Sequence, residues 1–260
     1  DRLIRDSSTV AARLAGPLAP LVNGVQRSAL FRTALERIAG IDRRRILPAY
    51  ARESFARWYA RQHRPVEASK GTVALFADTY LNYHEPEIGI AAVRVLQGMG
   101  YAVELAEVGC CQRPRISNGF LRDAKAAGAR TAAALDAFLQ RGVPVLVCEP
   151  SCASALTEDL PDLIDDTGMA GRLRAGIFMI DQFIADTLEP ERDEGLGMAG
   201  KGHRQVLVHG HCHQKAIYGT GDMLRVLQRL PGLTIEEIPS GCCGMAGSFG
   251  YEREHYELSR

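Results

Sequence analysis

The sequence predicts an α/β protein built as two Rossmann-like repeats with parallel sheets, preceded by a helical segment, with the second repeat incomplete. Three observations carry this. Short apolar runs alternate with helix-length amphipathic stretches from Gly71 onward. The order strand, ligand-bearing turn, helix, strand, double cysteine, helix occurs twice. An adjacent cysteine pair recurs, as Val108-Gly109-Cys110-Cys111-Gln112 and as Ser240-Gly241-Cys242-Cys243-Gly244. Strand–helix alternation implies right-handed crossovers and a sheet covered on both faces.

Residues 1–68 read as a helical lead-in. Leu30, Phe31, Ala34, Leu35 and Ile38 recur at the spacing of one helical face, and 51–62 repeat the pattern with Phe55, Trp58 and Tyr59. Gly16-Pro17, Ala19-Pro20 and Leu47-Pro48 break it into pieces. Asp1-Arg2-Leu3 carries no initiator methionine, so the chain is expected to be a piece of a longer protein.

The first repeat, 69–188, opens with a buried strand at 72–77. A helix over 86–100 turns Ile88, Ala91, Ala92, Val95, Leu96 and Met99 inward. Strand 102–105 then leads to the first double cysteine. An Ala-rich helix over about 119–141 precedes strand 143–147, which runs into Cys148-Glu149-Pro150-Ser151-Cys152. Residues 189–204, rich in glycine and charge, read as an exposed loop. The second repeat, 205–260, has strand 205–209, the turn His209-Gly210-His211-Cys212-His213, a helix to Leu230, strand 233–238 and the second double cysteine. Asp78 stands in the first half where Cys212 stands in the second. The counterpart of Cys152 would fall near position 284, so the second site is expected to lack a ligand.

The 260 residues are 46% hydrophobic and 24% charged, the balance of a globular protein. No apolar run reaches the roughly 18 residues of a membrane span. Seven cysteines, an odd number, with no signal peptide point to a reducing cytoplasm and metal-bound thiolates rather than a disulfide framework. Net charge is zero but uneven: residues 1–64 hold 13 arginines against five acidic residues, a net +8, and the remainder is −8. The basic lead-in is expected to pack against its own acidic body. Scattered arginines within apolar helical sequence argue against nucleic-acid binding. A basic arm touching a neighbouring domain or resting peripherally on an anionic membrane surface stays open.

Adjacent side chains on an extended strand point to opposite faces, so Cys-Cys makes a poor core pattern and a strained vicinal disulfide. On a tight loop two adjacent thiolates can converge on one centre. Thiolates suit iron–sulfur clusters, zinc or cuprous copper. Zinc ribbons use two close pairs in a small cage. Here the candidate ligands leave the ends of separate strands, where ligands gather in α/β folds, and Gly109, Gly241 and Gly244 permit close backbone approach.

These residues resemble the cysteine-rich CCG repeats found in heterodisulfide reductase and in iron–sulfur subunits of glycolate- and lactate-oxidising systems. His209–Ala216 (HGHCHQKA) with Ser240–Tyr251 (SGCCGMAGSFGY) is most similar to the C-terminal region of FAD-linked D-2-hydroxyacid dehydrogenases of the lactate, glycolate or 2-hydroxyglutarate type; Asp78–Glu87 (DTYLNYHEPE) and Glu149-Pro150-Ser151-Cys152 fit the same group. The resemblance covers most of the chain. It implies [4Fe-4S]-type iron–sulfur centres, or zinc in one repeat. Cys212, Cys242 and Cys243 match ligands of the second site, and Cys110, Cys111 and Cys152 those of the first, with Cys148 either a ligand or a small core residue. It also implies FAD and ferredoxin-like domains upstream in the same polypeptide and an electron acceptor, so this piece alone should not oxidise a hydroxyacid.

Around the cysteines, His209, His211 and His213 read as ligands, proton donors or partners of ligands. Lys215 and Arg113 read as carboxylate binders, stabilisers of cluster charge or solvated cations. Asp78 reads as a metal ligand or as a cap for the helix near Pro86. Two other functions remain: a zinc-stabilised non-catalytic interaction module, and a thiol enzyme centred on Cys212. The latter leaves Cys242 and Cys243 unexplained.

Overall fold

A computed structural model describes residues 5–62, 64, 66–188, 204–241, 243–245 and 247–260. The expected chain start, most of the 189–204 loop and Cys242 lie outside the described residues; Arg204 opens a strand instead of closing that loop.

Four parallel strands form the main sheet in the order β2-β1-β3-β4: β1 Thr72–Phe76, β2 Ala102–Ala106, β3 Val145–Val147 and β4 Ile177–Met179. β1 pairs with β2 from Thr72↔Ala102 to Phe76↔Ala106, and with β3 at Ala74↔Val145 and Leu75↔Leu146. Side chains alternate across a strand, and the two cores divide accordingly. Val73, Leu75 and Leu146 pack with Phe55, Val93, Leu96 and Ile184 on one face. Ala74, Phe76, Val145 and Val147 pack with Ala132, Leu135, Leu156, Leu160 and Leu173 on the other. Burial on both faces explains why these strands read as unbroken apolar runs.

Helices α1 Ser7–Leu14, α2 Ala19–Arg27, α3 Ala29–Ala39 and α4 Phe55–Gln62 form the lead-in. After β1 come α5 Thr79–Tyr83 and α6 Pro86–Gly98; after β2, α7 Arg113–Ser117 and α8 Leu121–Leu139. α9 Pro150–Ser154 runs through a π-helical turn, Ala155–Asp159, into α10 Leu160–Leu163; α11 Thr167–Gly176 leads to β4 and α12 Ile180–Thr187 follows it. A second, two-stranded parallel sheet joins β5 Arg204–Val208 to β6 Leu233–Glu237 through α13 Gly221–Gln228.

Several expectations are corrected. α3 fully buries no residue along its length; Phe31 and Leu35 are half-buried, but Leu30 and Ile38 are 83% and 86% exposed, because the described chain covers only part of that face. On α6, Ile88 is 52% exposed and Ala91 lies in solvent, while Gly89, Ala92, Val93 and Leu96 face the core. Gly89 sets this rotation, since a Cβ there would overlap Leu81 and Phe55. β4 was not anticipated: three residues are too short to show periodicity. After the second double cysteine the described residues form two 3₁₀ turns, Phe249–Tyr251 and Arg253–His255, and no α-helix.

The uneven charge is partly met within the chain. Arg44 reaches Glu257 at 3.0 Å, Arg45 donates to the Ser259 carbonyl at 2.8 Å, and Ile41 bridges Glu252. The lead-in is thereby tied to the C-terminal segment.

Candidate metal centre

In the order β2-β1-β3-β4 the chain reverses its direction of sheet growth between β1 and β3. Such a switch point opens a crevice at the carboxyl ends of the strands. Asp78 leaves β1 there, Cys110 and Cys111 follow β2, and Cys148 to Cys152 follow β3.

The first double cysteine is held by its own loop. Gly109 has φ +109°, which an L side chain rarely adopts, and a Cβ there would press on Thr131 Oγ1. Gln112, at φ 69°, is the one non-glycine residue with positive φ among those described. It holds the turn by donating from Nε2 to the Cys110 carbonyl at 2.7 Å and accepting from Arg115 at 2.7 Å. Cys111 faces inward and its Sγ lies 2.9 Å from Cys152 Sγ. Both are buried. Cys152 sits in the first turn of α9, where the Glu149 carboxylate accepts from its backbone N–H at 2.6 Å. Glu149 before Pro150 is an N-cap followed by an N1 proline, a helix start readable from sequence.

Asp78 caps α5 rather than the helix at Pro86: Oδ1 accepts from Tyr80 N at 2.8 Å and Leu81 N at 2.9 Å. Its Oδ2 is buried with no partner. Burial pushes the carboxyl up to about 6, against the backbone N–H groups that favour ionisation, and Glu149 adds to the rise.

All four thiols here are held neutral. Contact with Cys111 and then burial push Cys110 up. For Cys111, the Cys110 contact lowers the value but the Cys152 contact and burial outweigh it. Cys152 is favoured by Cys111 yet raised on balance by burial and by Asp78 and Glu149. Burial, then the Asp78 and Asp181 carboxylates, raise Cys148. A bound cation reverses this, because it stabilises every one of these anions.

Among the described residues no three His, Cys, Asp or Glu side chains are already arranged to hold a single metal ion. Two thiolates on one tetrahedral centre, with bonds of about 2.3 Å, stand about 3.8 Å apart, so ligation would part Cys111 and Cys152 by about 1 Å. Soft thiols from separate strands, one in direct contact with another, and an orphaned carboxylate oxygen form a donor set that fits an iron–sulfur group.

The second cysteine group is looser. Cys212 opens the helical turn after β5 and is half-buried, and Cys243 is exposed. Lys215 Nζ donates to the Ser240 and Gly241 carbonyls at 2.6 and 3.0 Å, joining the Cys212 turn to the second double-cysteine loop. Gly241 has open space around it and is not required for packing. The chain turns helical at Cys212, yet His211 and His213 still stack, 5.7 Å between ring centroids. His213 Nδ1 meets Ser154 Oγ at 2.9 Å. His209 is exposed.

Arg113 belongs to a bridge between the two groups. It donates to Ser151 O at 3.2 Å, Ser154 Oγ at 2.8 Å and Asp159 at 2.6 Å, and Ser154 in turn meets His213. Sequence reasoning missed Ser154, Gln112 and Asp181. Asp181, after β4, accepts from Gln214 at 2.5 Å and keeps Oδ1 buried without a partner. The parallel pairing of β4 beside β3 sets the ends of these two strands, and so Asp181 and Cys148, on the same edge of the sheet.

The chain is similar to one of the subunits of anaerobic glycerol-3-phosphate dehydrogenase from Escherichia coli K12, 32% identical over 249 residues, which is 94% of this chain and 61% of that protein. It is also similar to lactate utilization protein A of Geobacillus kaustophilus, 30% identical over 185 residues, 68% of this chain and 73% of that one. The Bacillus subtilis protein of the same name is 28% identical over 185 residues. This chain therefore spans about three-fifths of the first of these relatives. No protein-family model matches, and no solved structure matches. No helix among the described residues is long and apolar enough to cross a membrane.

Proposed function

The chain belongs to the family of lactate utilization protein A, and from that premise we propose that it is the iron–sulfur electron-transfer region of a flavin-dependent oxidoreductase. Cys110, Cys111 and Cys152, with Cys148 beside them, would hold the first centre; Cys212, Cys242 and Cys243 would hold the second. When bound, an iron–sulfur centre supplies one-electron transfer between a reduced flavin and an acceptor. The chain's own residues set its surroundings. Gln112 and Glu149 fix the two ligand loops, Arg113 ties them together, and burial keeps water from Cys111 and Cys152.

The observation that carries this reading is the buried 2.9 Å contact of Cys111 with Cys152, reached from two different strands at the switch point. The relatives' names speak of glycerol-3-phosphate dehydrogenase and of lactate use. Both compounds have three carbons, a hydroxyl on the middle one and an anionic group. We accordingly assign the substrate of the whole enzyme to that class, with a D-2-hydroxyacid as the specific proposal, and place its flavin on a separate polypeptide or domain. A cytoplasmic setting, which keeps the thiols reduced, and a division into repeats at 69–188 and 205–260 belong to the same proposal.

The test is iron, acid-labile sulfide and zinc content of the chain prepared without oxygen, beside C111S and C152S. Iron with sulfide that falls in both variants supports the reading. Zinc without sulfide would replace it with a structural metal module, and no metal would remove its basis.

A further inference from the structure

We propose that Asp78 is itself a ligand of the first centre, binding through Oδ2, so that the two repeats differ in ligand chemistry: thiolates plus one carboxylate in the first, thiolates at the corresponding position in the second. This rests on the iron–sulfur reading above and deepens it.

Capping does not account for the residue. One oxygen is enough for a cap, and Asp78 Oδ1 takes both backbone donors of α5. Asparagine or serine caps a helix about as well as aspartate without bringing a second anionic oxygen into the protein. Yet Asp78 is 2% exposed and its Oδ2 is buried with no partner. An unpaired buried carboxylate oxygen is costly, and such an atom in a folded protein calls for an explanation.

Its surroundings point to the cysteines. β1 lies between β2 and β3, so the turn that carries Asp78 leaves the sheet between the Cys110–Cys111 and Cys148–Cys152 loops, and its carboxylate raises the Cys148 and Cys152 thiols. The turn after β1 therefore meets the loops after β2 and β3. The internal repeat agrees: Asp78 immediately precedes the first helical residue after β1, and Cys212 is the first helical residue after β5. The start of the helix beyond a parallel strand carries a carboxylate in one half and a thiol in the other. Carboxylate is a harder ligand than thiolate. A centre with one oxygen ligand holds that iron less tightly and differs in its spectrum and potential from an all-sulfur one.

The test uses the full chain with Cys212 and Cys243 replaced by serine, so that iron counted belongs to the first group. It is reconstituted with ferrous iron and sulfide without oxygen. D78N and D78S keep a cap but lose the anionic oxygen; D78C offers sulfur. The expected result is metal-free circular dichroism unchanged in D78N and D78S, with iron lost to a chelator about tenfold faster or more. D78C is expected to restore retention with an altered electron paramagnetic resonance spectrum. Wild-type retention and spectrum in D78N would overturn the ligand assignment, as would a D78C spectrum identical to that of the parent. Absence of iron and sulfide from the unsubstituted chain would instead overturn the iron–sulfur reading and this inference with it.

Discussion

Replacing Arg113 by methionine removes the hydrogen-bonding bridge from the first double-cysteine loop to α9 and, through Ser154, to the Cys212 turn. Methionine keeps much of the apolar stem, so the loss is mainly polar. Three hydrogen bonds from a charged donor would sum to about 5–9 kcal/mol at about 1.5–3 each, but the structure argues for less. Ser151 O still accepts from Ser154 Oγ, and the Asp159 side chain is 34% exposed, so water takes over part of its solvation. Only Ser154, 1% exposed, loses a partner that water does not replace. The expected loss is about 2–3 kcal/mol, or about 4–12 °C in melting temperature for a chain of this size. R113K keeps the charge without the planar fork and should recover less than half. Urea unfolding of the metal-free chain, followed by circular dichroism, measures both. A loss below about 0.5 kcal/mol, the range of an ordinary surface change, would refute the bridge. So would R113K at full wild-type stability.

Three further outcomes follow from the same geometry. Lys215→Met removes the donor that holds Ser240 and Gly241; amide exchange over 240–244 should quicken about tenfold, equivalent to about 1.4 kcal/mol, with no change over 108–113. Gly128→Ala sets helix propensity, a gain of about 1 kcal/mol, against overlap with Leu160 Cδ1, which is fully buried and has no room to swing; overpacking at about 1–3 kcal/mol should win, so a raised urea midpoint would sink the packing argument. His84 titrates below its ordinary value because burial disfavours the charged ring, against the Ala49 carbonyl it meets at 2.9 Å. A lowered histidine pKa means stability is complete above about 6.5 and is lost as pH falls through that value. His213 is lowered in the same direction, chiefly by burial. The drop in urea midpoint from pH 7.5 to 5.5 should therefore shrink in H84Q without vanishing, and an unchanged drop would count against this account.

β1, β3 and the long α8 were legible because a strand buried on both faces has no polar residue to interrupt it, and nineteen residues give helical periodicity room to show. α6 was legible as a helix but not in its facing: apolar residues cover more than one side, and the close fit of Gly89 against Phe55 and Leu81 decides the rotation. α3 shows the converse, since an apolar stripe states what a helix can bury and not whether anything covers it.

For the candidate site, the sequence by itself determined the donors: two Cys-Cys turns, Cys148 and Cys152 after one strand, Cys212 after another, and Asp78 where a cysteine stands in the other half. Those are local facts, set by residue type and by where strands end. Only the tertiary structure decided which donors meet. Strand order β2-β1-β3-β4 brings Cys111 against Cys152 across 41 residues, draws Asp181 towards Cys148, and turns Arg113 from a candidate anion binder into a bridge. It also leaves Asp78 with one oxygen on the backbone of α5 and the other buried without a partner. Spacing along a chain fixes what each strand end carries, whereas adjacency across a sheet depends on the order in which strands pair, and no short-range pattern encodes that order.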